Sequence, residues 1–249
     1  MAQRGRRADE PPRGGTPREI GAVCKSHAGR LRVALAFPNS YYVGMSNLGF
    51  QSVYALFNAH DQVVCERVFL PPRQELEARR NASPSLRTVE SATPVREFDV
   101  LAFSVSFEWD YTNVVTMLRL AGIPLLAAER TSRHPLVVIG GAVTFVNPEP
   151  LAPFADCVAA GEGEMLVPSL VDALVEASDR PSLLLALAGR QGFYVPSFYE
   201  AQTDGDGRLE AFVPTRPDVP PPPVRKAALR ATEMIDPPAT SIFTPDTEF

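Results

Sequence analysis

Two glycine-rich points in this sequence stand where a backbone can be brought close to a ligand. Gly140-Gly141 closes the apolar run Val137-Val138-Ile139, and Gly161-Glu162-Gly163-Glu164 closes the run Cys157-Val158-Ala159-Ala160. Ser104 and Ser106 stand at the end of another apolar run, and Tyr41 and Gly44 lie in the loop-like stretch Asn39-Ser40-Tyr41-Tyr42-Val43-Gly44 after a fourth. Glycine permits close approach, and small hydroxyls offer hydrogen bonds without filling the space a flat, bulky group would need. The chemistry these residue types support is binding. Tyr41, Gly44, Ser104, Ser106, Gly140, Gly141, Gly161, Glu162 and Gly163 are therefore the candidate ligand-binding residues. None is paired with a base as a nucleophile would be, so no catalytic residue is assigned. His27, His60 and His134 are dispersed, and Cys24, Cys65 and Cys157 form no C-x-x-C, so no metal ligand is assigned either. There is no G-x-x-x-x-G-K-[ST] and no G-x-G-x-x-G after the first strand, which removes the usual support for ATP or dinucleotide binding.

The elements that position these residues follow from periodicity. Short apolar runs at 32–37, 63–69, 99–104, 136–139 and 157–160 read as buried strands. Helices are expected from Ser46 as N-cap to about Asn58, over 73–80, over 112–121, over 164–177 and from Asp179 to about Gly189. Met45, Gly49, Val53 and Leu56 share one face of the first of these, and Val114, Met117, Leu118 and Ala121 share one face of the third. Glu19 to Ala28 reads as a short lead-in helix, and the pieces around Leu86–Val89 and Pro124–Ala127 as short extended segments. Alternating strands and helices call for a doubly wound, flavodoxin-like α/β fold with five parallel strands in the order 2-1-3-4-5. Ligands of such sheets sit outside the carboxyl ends of the strands, where every candidate residue falls.

After Gly192 the character changes. Phe193–Thr203 and Leu209–Val213 read as a β-hairpin closed by Asp204-Gly205-Asp206-Gly207. A calcium loop would need a bidentate Glu at its twelfth position, which is Thr215. Pro220-Pro221-Pro222-Pro223 is a stiff linker. The expected organisation is a lead-in segment over 1–30, disordered at its Arg/Gly/Pro-rich start, an α/β domain over 31–190, and a hairpin and linker over 191–249.

A formal net charge of -5 gives no basic face for nucleic acid. No apolar run is long enough for a transmembrane helix, and the amino terminus lacks the apolar core of a signal peptide, so a cytoplasmic protein is expected.

The run VVIGGAVTFVNPEPLAPFADCVAAGEGE resembles the later half of the cobalamin-binding domain in cobalamin-dependent radical SAM proteins, where a "GG…EP…D…GEGE" pattern is common. PNSYYVGMSNLGFQSVYALFN and FSVSFEWDYTNVVTMLRLAGIPL resemble the first and third strand–helix units of one subgroup. The resemblance covers about residues 31–180, with 190–249 as the usual connector. It implies a corrinoid held between this sheet and a following barrel. Ser104 and Ser106 would touch the buried nucleotide tail, Gly140-Gly141 would line it, and Gly161, Glu162 and Gly163 would close the far side.

Two departures from the family pattern matter. Where many relatives carry D-x-H-x-x-G, with a cobalt-coordinating His, this chain has Asn39 for the Asp and Tyr41 for the His; a neutral phenol is a poor cobalt ligand. The resemblance also implies a [4Fe–4S] cluster and S-adenosylmethionine, but the C-x-x-x-C-x-x-C that holds the cluster is not in this sequence. Both would belong to a radical SAM domain or subunit outside it. The alternatives are a degenerate docking module for an iron–sulfur partner, and a flavin or nucleotide binder of the same fold.

Overall fold

The computed structural model describes residues 19–78, 86–229 and 239–247. The reading of the first eighteen residues as a disordered tail, and the end of the helix expected over 73–80, lie outside the described residues. The chain forms β1 (Leu31–Phe37), α1 (Tyr41–Met45), α2 (Leu48–Ala59), β2 (Val63–Phe69), α3 (Arg73–Ala78), β3 (Val100–Ser104) and α4 (Tyr111–Ala121). It continues with β4 (Leu136–Gly140), β5 (Cys157–Ala159), α5 (Gly163–Glu176), α6 (Arg180–Ala188), β6 (Phe193–Tyr194) and the pair β7 (Tyr199–Thr203) and β8 (Leu209–Pro214).

The main sheet has the order β2-β1-β3-β4-β5-β6. Its first five strands are parallel, in register from Leu31 opposite Val63 through Ile139 opposite Val158. This is the doubly wound flavodoxin-like α/β fold, with one strand more than expected. The extra strand is the start of the segment read as a hairpin arm. Phe193–Tyr194 pairs antiparallel with β5, a short 3-10 turn at Pro196–Phe198 breaks the run, and only Tyr199–Thr203 goes on to the separate hairpin with β8. Pro196 at the start of that turn has no N–H for a ladder, which is why the strand divides there.

Side-chain alternation sends the sheet into two cores. Val33, Leu35 and Phe37 of β1, with Val100 and Ala102 of β3, face the layer of α1, α2, α5 and α6. Ala34, Ala36, Leu101 and Phe103 face α4 and the irregular segment around Leu86, Val95 and Phe98. Both faces are covered, as an all-parallel stack requires.

Four local expectations change. The stretch after β1 is not a loop: Ser40 caps α1 by accepting from Val43 N, and Ser46 ends α1 instead of starting the next helix. Asn47 caps α2, its carboxamide oxygen accepting from Phe50 N at 2.9 Å. Residues 19–28 contain no helix. They carry no regular element beyond one bridge, Ile20 to Phe243, and Glu19 is buried against Arg67. Pro124–Ala127 forms no strand and leads into a 3-10 turn at Ala127–Glu129, while Leu86–Val89 contributes one bridge, Arg87 to Pro94.

The outer edge of β2, whose residues are all buried, is closed by polar chemistry. Arg67, with no exposed side-chain surface, donates to Glu90 (2.7 Å) and Glu19 (2.6 Å) and lies 5.0 Å from the Tyr54 ring centroid. Its backbone N–H donates to Glu90, and its carbonyl accepts from Val89 N. Burial opposes the guanidinium charge, but the two carboxylates outweigh it and hold the Arg67 pKa above its ordinary value.

Candidate functional site

At the carboxyl edge of the sheet a cavity of about 370 Å³ opens between α2, α5 and the strands beneath them. Its floor is built from small residues, Ala102 on β3 and Ala159 on β5, beside Leu35 and Val138. Larger side chains there would fill the space under the helices. Val53 and Leu56 come from α2, and Leu166, Val167 and Leu170 from α5. Of the stripe Met45-Gly49-Val53-Leu56 read from the sequence, the last three face the cavity, whereas Met45 belongs to α1 and is buried in the core, because Ser46 ends that helix before α2 begins. The more deeply buried face of α2 is Phe50, Tyr54 and Phe57, so this helix is apolar on two sides. A small floor under an apolar roof, with few polar groups at the mouth, is the form of a small-molecule site.

Six of the nine candidate residues meet here: Ser104, Ser106, Gly140, Gly141, Gly161 and Gly163 all line the cavity. Ser106 Oγ accepts from Asn47 Nδ2 at 3.2 Å, while the Ser104 hydroxyl has no partner among the described residues. Gly141 has φ +95°, and a Cβ on it would lie 2.6 Å from the Val105 carbonyl oxygen, so only glycine lets β4 turn away there.

The other three candidates lie off the lining. Tyr41 sits on α1, packs edge-on against Phe69 at 5.1 Å, and its phenol O–H donates a hydrogen bond to the Glu19 carboxylate. Burial first, and then the Glu19 hydrogen bond, push its pKa up, so the phenol is neutral. Gly44 is small because α1 rests on β2: a Cβ there would be 2.5 Å from the Phe69 ring. The Glu162 carboxylate accepts from Leu229 N at 2.6 Å, and this diverts it from capping α5, which has no side-chain cap. The helical turn at 41–45 is what carries Tyr41 and Gly44 towards β2 and away from the cavity.

Sequence reasoning missed two polar residues near this edge. Asn47 lines the cavity; the local signal was an Asn one place after the Ser taken as the cap. Asp110 is 2 % exposed, and its Oδ1 accepts from Asn39 and Asn113 at 3.1 Å while Oδ2 has no partner. Burial raises its pKa against those two hydrogen bonds. Asn39 thus tethers the short link between β1 and α1 to the start of α4.

The cysteines do not form a cluster site. Cys65 and Cys157 are buried strand residues whose thiol pKa values burial pushes up, and Cys24 is exposed elsewhere. Among the described residues no three His, Cys, Asp or Glu side chains are grouped to hold a metal, and no helix is long and apolar enough to cross a membrane.

Sheet order and cavity define a doubly wound α/β domain with an apolar cleft at its carboxyl edge. A family model described as the N-terminal region of radical SAM proteins matches residues 49–196, and the chain belongs to that family. No curated protein and no solved structure matches it.

Proposed function

We propose that this domain binds a corrinoid, with the nucleotide tail in the cavity between α2 and α5, and serves a radical SAM barrel outside this sequence. The cavity itself supports this reading: about 370 Å³, apolar in its walls and open at the strand ends. A flat, apolar base fits a floor of Ala102, Ala159 and Gly140, and the free Ser104 hydroxyl and Asn47 supply polar contacts at the mouth. Family membership supports the partner, because radical SAM enzymes are the proteins in which this region occurs.

Bound there, a corrinoid supplies cobalt-centred transfer chemistry. The residues of this chain would position and shield it; Tyr41, whose phenol donates to Glu19 and lies off the cavity lining, is not placed to serve as a metal ligand there. The [4Fe–4S] cluster does not fit this chain, since its thiols are dispersed and two are buried, and S-adenosylmethionine would bind where the cluster is. Both would belong to a partner domain or subunit.

The test is reconstitution. Protein incubated with hydroxocobalamin and separated by gel filtration should carry corrinoid absorbance at about one equivalent; protein that emerges colourless rejects the proposal.

A second reading is a docking module that holds no corrinoid. It is favoured by the exposed pair Phe107 (50 %) and Trp109 (80 %), with Phe145 and Val146 also exposed on the β4–β5 connection. Co-purification with an iron–sulfur protein, without corrinoid, would select it.

A further inference from the structure

The connector beyond the hairpin returns to the cavity. Gly192 N donates to Arg225 O, Ala227 N to Ala160 O and Glu162 N to Ala227 O, each at 2.9 Å. Glu162 Oε2 accepts from Leu229 N at 2.6 Å, and Gln191 Nε2 donates to Lys226 O at 2.8 Å. Residues 225–229 are thereby stitched along the end of β5, beside Gly161, which lines the cavity. The fit leaves no slack: Ala227 is 2 % exposed, and a Cβ on Gly161 would lie 2.1 Å from its carbonyl oxygen.

This stitching fixes the position of Lys226. Its ammonium stands 4.0 Å from the centroid of the Phe145 ring, and Phe145 lines the cavity while remaining 52 % exposed. The Lys226 side chain has no carboxylate or carbonyl partner among the described residues. A cation over an aromatic face keeps its N–H donors free for another acceptor. Among the described residues no Lys or Arg belongs to the lining itself; its one charged member is Glu164 on the α5 wall, whereas Lys226 stands over the wall that follows β4.

We propose that residues 225–229 form a fixed lip of this cavity and that Lys226 selects ligands that join an apolar body to an anionic group. The apolar body enters between α2 and α5, and the anion meets the ammonium above Phe145. This rests on the cavity being the ligand site. On the corrinoid reading, the anionic group is the phosphodiester of the nucleotide tail.

The test compares wild type, Lys226→Met and Lys226→Arg, all in a Trp109→Ser background that removes an exposed indole as a second dye site. Each is titrated by fluorescence with 8-anilinonaphthalene-1-sulfonate and with the neutral N-phenyl-1-naphthylamine. K226M should weaken the sulfonate about tenfold and leave the neutral dye within about twofold, while K226R keeps the sulfonate. Equal effects of K226M on both dyes, no effect on either, or a wild type that takes up neither dye overturns the lip. Titration with cobalamin and with cobinamide, which lacks the nucleotide, separates the two readings. If wild type binds neither corrinoid, the corrinoid proposal falls and the dyes still decide the lip. If it binds both, K226M should weaken cobalamin alone, and an equal loss for cobinamide overturns the role of Lys226.

Discussion

Gly161 and Ala227 run side by side as parallel neighbours, so close that a Cβ on Gly161 would lie 2.1 Å from the Ala227 carbonyl oxygen. Gly161 also has φ +140°, a conformation that side chains rarely adopt. The end of β5, the rim of the cavity and the connector are therefore one piece of structure. Gly161→Ala is expected to cost about 2 kcal/mol or more in urea unfolding, and to expose residues 225–229 to limited proteolysis. A variant as stable and as protected as wild type would contradict the pairing.

Glu19 belongs to the folded domain because Arg67 needs it. The guanidinium has no exposed surface and divides its hydrogen bonds between Glu19 and Glu90. Glu19→Ala leaves a buried cation partly unpaired and is expected to cost about 3 kcal/mol. A loss of about 0.5 kcal/mol or less in chemical denaturation, the size of a surface change, would show that the network does not hold the β2 edge.

Glu66 sets an acid limit. Burial raises its pKa, but hydrogen bonds from Ser91, Thr88 and His27 outweigh this, so the net shift is downward from 4.5. A lowered folded-state pKa stabilises the protein above the unfolded value, and the contribution disappears as pH falls through the folded value. Glu66→Gln should therefore destabilise the protein by about 1–2 kcal/mol at pH 7, and by progressively less below about pH 4.5. Equal destabilisation at both ends of a pH series of urea melts would remove Glu66 as the source.

The parallel sheet was legible because its strands are short apolar runs buried on both faces, and their order followed from alternation with helices. The rim was legible in part for a related reason: in a parallel sheet the residues at strand ends share one edge, so Ser104, Gly140 and Gly161 had to come together. Tyr41 and Gly44 were misplaced because a five-residue helix caps itself with Ser40, a signal too short to stand out from a loop. The second apolar face of α2 was hidden because both faces satisfy helical spacing. Lys226 and the 225–229 lip could not be read at all. They pair through backbone groups, which carry no residue signature, and the surrounding prolines read as a linker. Glu162 stands between two residues of the cavity lining, Gly161 and Gly163, but its carboxylate holds the connector.

If the space over Ala159 is a ligand cavity, filling it removes the site. Ala159 is 8 % exposed and lines the cavity floor, so Ala159→Leu projects a larger side chain into the space under α5. Isothermal titration of hydroxocobalamin into wild type and A159L, with urea midpoints measured on both, should show binding by wild type and at least about a tenfold loss in a variant that remains folded. Equal affinities in the two proteins, or no binding heat from wild type, would contradict that reading.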